Sequence, residues 1–292
     1  MMQDRHSWIF VPGQIPRMVD KAFGLPVDVI MLDLEDSVVP ALKASARSQV
    51  AEALGRARRY ESPTRFVRIN AVSTSECMLD LQAVVTPGLE GIVVPKVDNV
   101  EQVRWLEHEL SRLEARRDAG KITAMVLAIE SPRALLAAAA LASASPRVAG
   151  LMFGAEDFSR ALGLPTVRHG PASDLLYARS HIVVAAAAAG VASIDGVWPD
   201  LKDATGLSGD CEMSRALGFT GKSLIHPSQI EPVTRAFQPS EQQIEFARKV
   251  IVEFDAAAAA GKGSIEVDGQ LIDAPIYERA RQTLRSVERQ KR

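Results

Sequence analysis

The chain has 292 residues, of which 47% are hydrophobic, 24% charged and 5% aromatic, and its 34 Lys plus Arg against 36 Asp plus Glu leave a net charge of −2. That apolar content excludes a mainly disordered state and supplies a large core, in one big domain or two small ones. The balanced charge excludes an extended electrostatic surface for nucleic acid, while leaving room for one small basic site for a phosphorylated ligand.

In chain order, a short apolar run over 6–12 leads to a short helix over 16–23. The run 27–34 precedes a helix over 43–58, with Ala46, Val50, Ala53 and Leu54 at three- and four-residue steps. Runs at 65–69 and 91–95 follow, then a helix over 100–116 carrying Val103, Leu106, Leu110 and Leu113. After the run 122–129, Pro132 sits where a first helical turn accepts proline, before a helix over 133–142. After the run 148–153, Asp174 is expected to cap a helix over 175–189 and Gly190 to end it. Runs at 192–198 and 219–225 complete the series, and Ser228 is expected to cap a helix over 229–237.

Each run is short and mostly hydrophobic, as strands covered on both faces are. Eight of them, spaced roughly 30 residues apart like βα units, predict a (β/α)8 TIM barrel over residues 1–238. An open doubly wound sheet is the alternative. It lacks the dinucleotide fingerprint, because Gly13-Gln14-Ile15-Pro16 is too short and holds a proline. Residues 239–292 read as a C-terminal helix–hairpin–helix appendix: a helix over 241–260 ended by Gly261, a hairpin over 264–273 turning at Asp268-Gly269, and a helix over 275–288. This segment is expected to cover one barrel end, mediate oligomerisation, or form a lid over an active site, its own or a neighbour's.

Cys77 and Cys211 form no CxxC pair, so they make no metal knuckle or thioredoxin motif. One disulfide is arithmetically open; two buried thiols in a reducing cytoplasm is the favoured reading. The opening MMQDRHSWIFVPG lacks the apolar core of a signal peptide. The longest Ala/Leu-rich run, 134–142, is about half of the ~18 residues that span a bilayer. A cytoplasmic protein with neither membrane nor nucleic-acid partner is expected.

In such barrels the chemistry sits where strands end. Here those places hold Asp33-Leu34-Glu35-Asp36, Arg68-Ile69-Asn70, Pro95-Lys96, Glu130, Gly154-Ala155-Glu156-Asp157, Pro199-Asp200 and His226-Pro227. Any strand must end in polar residues at water, but the whole set is rich in ionisable groups. Glu130 and Asp157 are the sharpest pair, because two otherwise unpaired carboxylates on adjacent strands repel and a divalent cation removes the conflict. The competing reading is that each caps a helix or pairs with an arginine. Glu156 is the rival ligand, expected to point to the other side of the chain from Asp157. Arg68 alternates onto the same side as Phe66 and suits a bidentate grip on a carboxylate. It also suits a salt bridge to Glu35 or Asp36, and the two readings are compatible. His226 reads first as a loop histidine, and the five histidines offer no zinc spacing. Ser7, Ser37 and Ser131 lack a nucleophile-elbow context.

The ordered motifs carry a resemblance. Phe10-Val11-Pro12-Gly13 with Pro16-Arg17-Met18, Leu32-Asp33-Leu34-Glu35-Asp36-Ser37-Val38, Val67-Arg68-Ile69-Asn70, Val94-Pro95-Lys96-Val97, Ala128-Ile129-Glu130-Ser131, Phe153-Gly154-Ala155-Glu156-Asp157-Phe158 and Ile225-His226-Pro227-Ser228-Gln229 resemble segments of the HpcH/HpaI aldolase/citrate lyase family. That family includes citrate lyase beta subunits and malyl-CoA and citramalyl-CoA lyases. The resemblance implies a Mg2+-dependent lyase that cleaves a 3-hydroxyacyl coenzyme A thioester to an acyl thioester and a 2-oxo acid. It implies Glu130 and Asp157 as metal ligands and Arg68 as the carboxylate-binding arginine, with Glu35, Asp36 and Lys96 contributing to substrate binding. Leu271-Ile272-Asp273-Ala274-Pro275 is similar to a C-terminal segment whose aspartate is thought to act in an adjacent subunit, so Asp273 is expected to be catalytic and the chain a homo-oligomer, a trimer first. Asp273 as a cap of the last helix is the competing reading. Trp198-Pro199-Asp200 and Ser131 depart from the usual family residues and bear on the substrate rather than the reaction. The alternatives are a citryl-carrier-protein lyase subunit, a class II pyruvate aldolase, and a non-catalytic thioester-binding subunit.

Overall fold

A computed structural model describes residues 2–56, 63–117, 122–164 and 173–290. Eight strands among them run parallel in sequence order: β1 (Ser7–Pro12), β2 (Val29–Asp33), β3 (Thr64–Arg68), β4 (Gly91–Val94), β5 (Ala124–Ile129), β6 (Val148–Phe153), β7 (Ala192–Asp195) and β8 (Gly221–Leu224). β8 pairs back onto β1, which closes the barrel. The chain is therefore a (β/α)8 barrel, as the eight apolar runs predict. All C-terminal strand ends share one mouth, so polar residues far apart in sequence converge there.

The outer helices are α1 (Pro16–Ala22), α2 (Lys43–Leu54), α3 (Ser75–Val84), α4 (Val100–Arg117), α5 (Pro132–Leu136), α6 (Ala138–Ala142), α7 (Ala155–Leu162), α8 (Leu176–Ala189), α9 (Ala204–Leu217) and α10 (Ile230–Phe237). Ala46, Val50, Ala53 and Leu54 on α2, and Val103, Leu106, Leu110 and Leu113 on α4, are all buried. Ala57 and Arg58, at the end of the expected second helix, lie outside the described residues.

Inward alternation fills the barrel. Trp8, Met31, Phe66, Val126, Met152 and Ile194 belong to one buried cluster, with Trp8 and Phe66 meeting edge to face at 5.2 Å. This packed core makes the barrel a solid support for its mouth rather than a pore.

Local endings differ from the sequence pattern in several places, and α2 already ends at Leu54, with Gly55 as its C-cap, short of the expected residue 58. The helix expected over 133–142 breaks at Ala137 into α5 and α6. Gly190 ends α8 in the left-handed conformation at φ 70°, but Asp174 lies within a 3-10 turn and does not cap it. At 226–229 the cap is His226, whose Nδ1 accepts from the Ser228 N–H, so Ser228 is not the cap. β7 stops at Asp195, three residues before the expected end, and Asp195 joins a buried ion cluster. Helices α3, α7 and α9 stand where the sequence pattern predicts none. The buried faces of α3 and α9 carry Asp80, and Asp210 with Ser214, which interrupt their apolar stripes.

The chain divides into two compact units, 1–234 and 235–292. In the second, α11 (Glu241–Ala259) starts at a capping box formed by Ser240 and Gln243. The hairpin of β9 (Ile265–Val267) and β10 (Gln270–Ile272) turns at Asp268 and Gly269, with φ 49° and 78°, the two positive values that a tight hairpin turn requires. Val250, Val267 and Ile272 anchor its own core, and α12 (Ala274–Gln290) follows. Cys77 and Cys211 are buried free thiols. Among the described residues no helix is long and apolar enough to cross a membrane.

Candidate active site

β2 and β3 place Asp33 beside Arg68 in register, at the last residues of both strands. The guanidinium donates through Nε and Nη2 to the two Asp33 oxygens at 2.7 Å each. Its Nη1 stands 3.2 Å from Glu35 Oε2, and its carbon lies 4.7 Å from the Phe10 ring centre. Burial alone would raise the Asp33 carboxyl, but Arg68 holds it below its ordinary value. Asp33 also accepts from the Glu35 and Ser37 N–H groups, so it fixes both the arginine and the loop after β2. The salt-bridge reading of Arg68 therefore holds for Glu35. Its main partner, Asp33, was legible only through strand parity, since Asp33 shares the inward side of Val29 and Met31.

Lys96 adopts a left-handed backbone at φ 51°, a sparse conformation for a residue with a Cβ. That twist lets its N–H donate to Glu130 Oε2 at 2.8 Å while its Nζ reaches Glu35 Oε1 at 2.5 Å and Asp36 Oδ1 at 3.2 Å. Glu35 is buried and Asp36 exposed. Lys96 thus joins the loop after β2 to the carboxylate after β5.

Glu130 follows β5 and is buried at the mouth. Burial and the nearby Glu35 push its carboxyl up to about 8, against the opposing pull of the Lys96 N–H and Arg68. Gly154 makes room for it: a methyl on Gly154 would stand 2.2 Å from Glu130 Cγ. Glu130 caps no helix, because Ser131 caps α5. Asp157 lies in the first turn of α7 and pairs with Arg160 at 2.5 Å. Arg160 is three-quarters exposed, so this pair opens at little cost.

Arg68, Glu130, Glu156 and Asp157 line one cleft, together with Phe10, Phe153, Val197 and Ser223. Glu156 and Asp157 share it because they sit on a helix, where neighbours diverge by about 100°, rather than on a strand, where they would oppose. His226 is exposed and bonds Ser228. Asp273 belongs to the second unit, where its Oδ1 accepts from the Ile276 N–H at 3.3 Å, the cap geometry for α12.

The donor set suits a hard cation. Glu130 is an acid held against its charge by burial and a like neighbour, and a divalent cation relieves both. Among the described residues no cluster of three or more His, Cys, Asp or Glu side chains could hold a metal. A site with one or two carboxylates, leaving other positions to water and substrate oxygens, is magnesium's habit.

Known proteins share this chain's sequence and fold over nearly its whole length. The chain is 37% identical to citrate lyase subunit beta of Escherichia coli K12, over 97% of this chain and 93% of that protein. It is 35% identical to a (3S)-malyl-CoA thioesterase of Cereibacter sphaeroides, over 97% and 94%. A crystal structure of the protein CitE from Mycobacterium tuberculosis, in complex with magnesium, acetoacetate and coenzyme A, superposes with a TM-score of 0.79 at 30% identity, covering 97% of this chain and 98% of that one. Residues 6–227 match the HpcH/HpaI aldolase/citrate lyase family. With its closed parallel barrel and this span of similarity, the chain belongs to the HpcH/HpaI aldolase/citrate lyase family and is a carbon–carbon lyase.

Proposed function

We propose that this lyase is Mg2+-dependent and cleaves, or in reverse forms, a 3-hydroxyacyl-CoA thioester such as malyl-CoA or citramalyl-CoA, giving an acyl-CoA and a 2-oxo acid. The observation that carries this reading is the convergence of Glu130, Asp157 and Arg68 on one cleft. Glu130 and Asp157 would hold the magnesium. When bound, it would supply a Lewis acid for the carboxylate and developing carbonyl of the 2-oxo acid fragment.

The protein's own groups do the rest. Asp33 occupies the Nε and Nη2 positions of Arg68, so the grip on a substrate carboxylate falls to the remaining Nη1 edge, beside Glu35. The Phe10 ring stacked on the guanidinium keeps water from that face. Glu35, Asp36 and Lys96, joined by ion pairs beside Arg68, would contribute to substrate binding. As the 3-hydroxyl loses its proton to water and its oxygen becomes the 2-oxo carbonyl, the carbon–carbon bond breaks and its electrons pass to the α-carbon and into the thioester carbonyl. Asp273 would give that carbon its proton in cleavage and remove it in condensation. Residues 239–292 would then serve as a lid or oligomerisation segment and residues 1–238 as the catalytic barrel, in a cytoplasmic homo-oligomer, a trimer first.

The similarity to citrate lyase subunit beta favours a second reading, a subunit acting on a citryl group carried by a protein. One experiment separates them: incubation with malyl-CoA, citramalyl-CoA and a citryl-carrier-protein thioester, with and without magnesium, with 2-oxo acid and thioester products measured separately. Release of glyoxylate or pyruvate from a coenzyme A substrate only with magnesium is expected. Turnover of the carrier-protein thioester alone would establish the second reading, and free thiol without 2-oxo acid would show hydrolysis instead.

A further inference from the structure

The densest buried charge outside the cleft lies on the outer side of the barrel wall. Arg179 of α8, Asp195 at the end of β7, Asp210 of α9 and Lys222 of β8 are each at most 4% exposed. Two cations face two carboxylates, so the group is neutral. Arg179 Nη2 donates to Asp195 Oδ2 at 2.5 Å, and its Nη1 lies 3.0 Å from Asp210 Oδ1. Lys222 Nζ lies 2.5 Å from Asp210 Oδ2 and 3.1 Å from Asp195 Oδ2. Ser214 donates to Asp195 as well. Burial alone would raise Asp195 and lower Lys222; the opposite charges around them reverse both directions.

Buried ion clusters are weak evidence for stability, because apolar groups of the same shape often serve as well. The third proton of Lys222 shows what else this one does. It goes to the backbone carbonyl of Gly196 at 2.7 Å. Gly196 is the first residue past β7, and Val197 after it lines the cleft. The Gly196 backbone in turn lies against the end of β6 and the start of α7. A methyl on Gly196 would stand 3.0 Å from Ala155 Cβ and 3.2 Å from the Phe153 carbonyl oxygen. Ala155 opens the helix whose first turn carries Asp157.

We propose that Lys222 is a positioning residue. Anchored by Asp195 and Asp210 outside the barrel wall, it holds Gly196 and Val197 against the start of α7, and so sets where Asp157 stands relative to Glu130. This inference rests on the reading of Glu130 and Asp157 as magnesium ligands.

The test is calorimetric titration of magnesium chloride into the metal-free chain. Lys222→Met removes the donor to Gly196 and should weaken magnesium binding about tenfold, the lower end of the range for losing an outer-shell support. Gly196→Ala leaves every ion pair in place but forces the start of α7 to retreat by a few tenths of an ångström, beyond the tolerance of about 0.2 Å for ligand distances. It should weaken binding at least about threefold, and it carries the test if the Lys222→Met chain does not fold. Leu110→Ala, in the core of α4, controls for general destabilisation: it should lower Tm and leave magnesium affinity unchanged. Wild-type affinity in Gly196→Ala, or in folded Lys222→Met, would overturn the positioning role while leaving the magnesium site standing. A wild-type chain that binds no magnesium would overturn both.

Discussion

Gly154→Ala tests the geometry of the site with one methyl group. The backbone there has φ −90°, so alanine adds no left-handed strain. The new Cβ would stand 2.2 Å from Glu130 Cγ, 2.9 Å from Oε1 and 3.0 Å from Cδ. Glu130 must retreat by about 1.2 Å to reach ordinary contact near 3.4 Å. It cannot do so and also keep the Lys96 N–H bond at 2.8 Å without moving the β4 exit. A misplacement of about 1 Å at a reacting centre costs on the order of 100-fold in rate, or roughly 2.7 kcal/mol. Magnesium affinity should fall at least about tenfold by titration calorimetry. The fold should absorb the methyl for about 1–3 kcal/mol, the usual cost of overpacking, leaving a cooperative thermal transition. Steady-state cleavage of a hydroxyacyl-CoA, with the enzyme shown folded by circular dichroism, reads the first number. Near-wild-type kcat/KM and magnesium affinity would refute the assignment of Glu130 as a ligand held in this pose.

Arg68→Lys keeps charge but can make at most one of the two bonds to Asp33, each worth about 1.5–3 kcal/mol as a charged hydrogen bond. Both Tm and affinity for pyruvate or glyoxylate should drop, the affinity by about tenfold or more; a lower Tm with unchanged affinity would make Arg68 purely structural. Asp273→Asn keeps a side chain able to cap α12, whereas Asp273→Ala removes the cap at a cost of about 1 kcal/mol. Loss of turnover in both, with Tm lowered only in the alanine variant, is expected; full activity in the asparagine variant would reduce Asp273 to a cap. Burial alone would raise Asp195, yet Lys222 and Arg179 hold it below its ordinary value of 3.8. A depressed folded value means that its stabilisation is complete above the unfolded value and is lost as pH falls through the folded one. Stability of the wild type should therefore fall steeply below about pH 4, and Asp195→Asn, less stable near neutrality, should show a flatter acid limb in Tm against pH; parallel curves would contradict the ion pairing.

The barrel is legible in the chain alone. Its eight apolar runs at a regular interval leave few other ways to bury both faces of each strand, and the Asp268-Gly269 pair dictates its hairpin locally, through two positive φ angles. The chain also points to Arg68, Glu130 and Asp157, because an ionisable residue just past an apolar strand is visible in one dimension. What it does not show is how groups meet across strands. Asp33 as the partner of Arg68 depends on the β2–β3 register, and the Lys96 N–H on Glu130 depends on a backbone twist that no residue type announces. The Arg179, Asp195, Asp210 and Lys222 cluster draws on two strands and two helices, and it hid its own helix, since a polar buried face on α9 breaks the apolar period that reveals helices. Periodicity records burial against apolar neighbours. Charge pairing is satisfied in space, between residues whose separation along the chain carries no signal, so it emerges only once the barrel has closed.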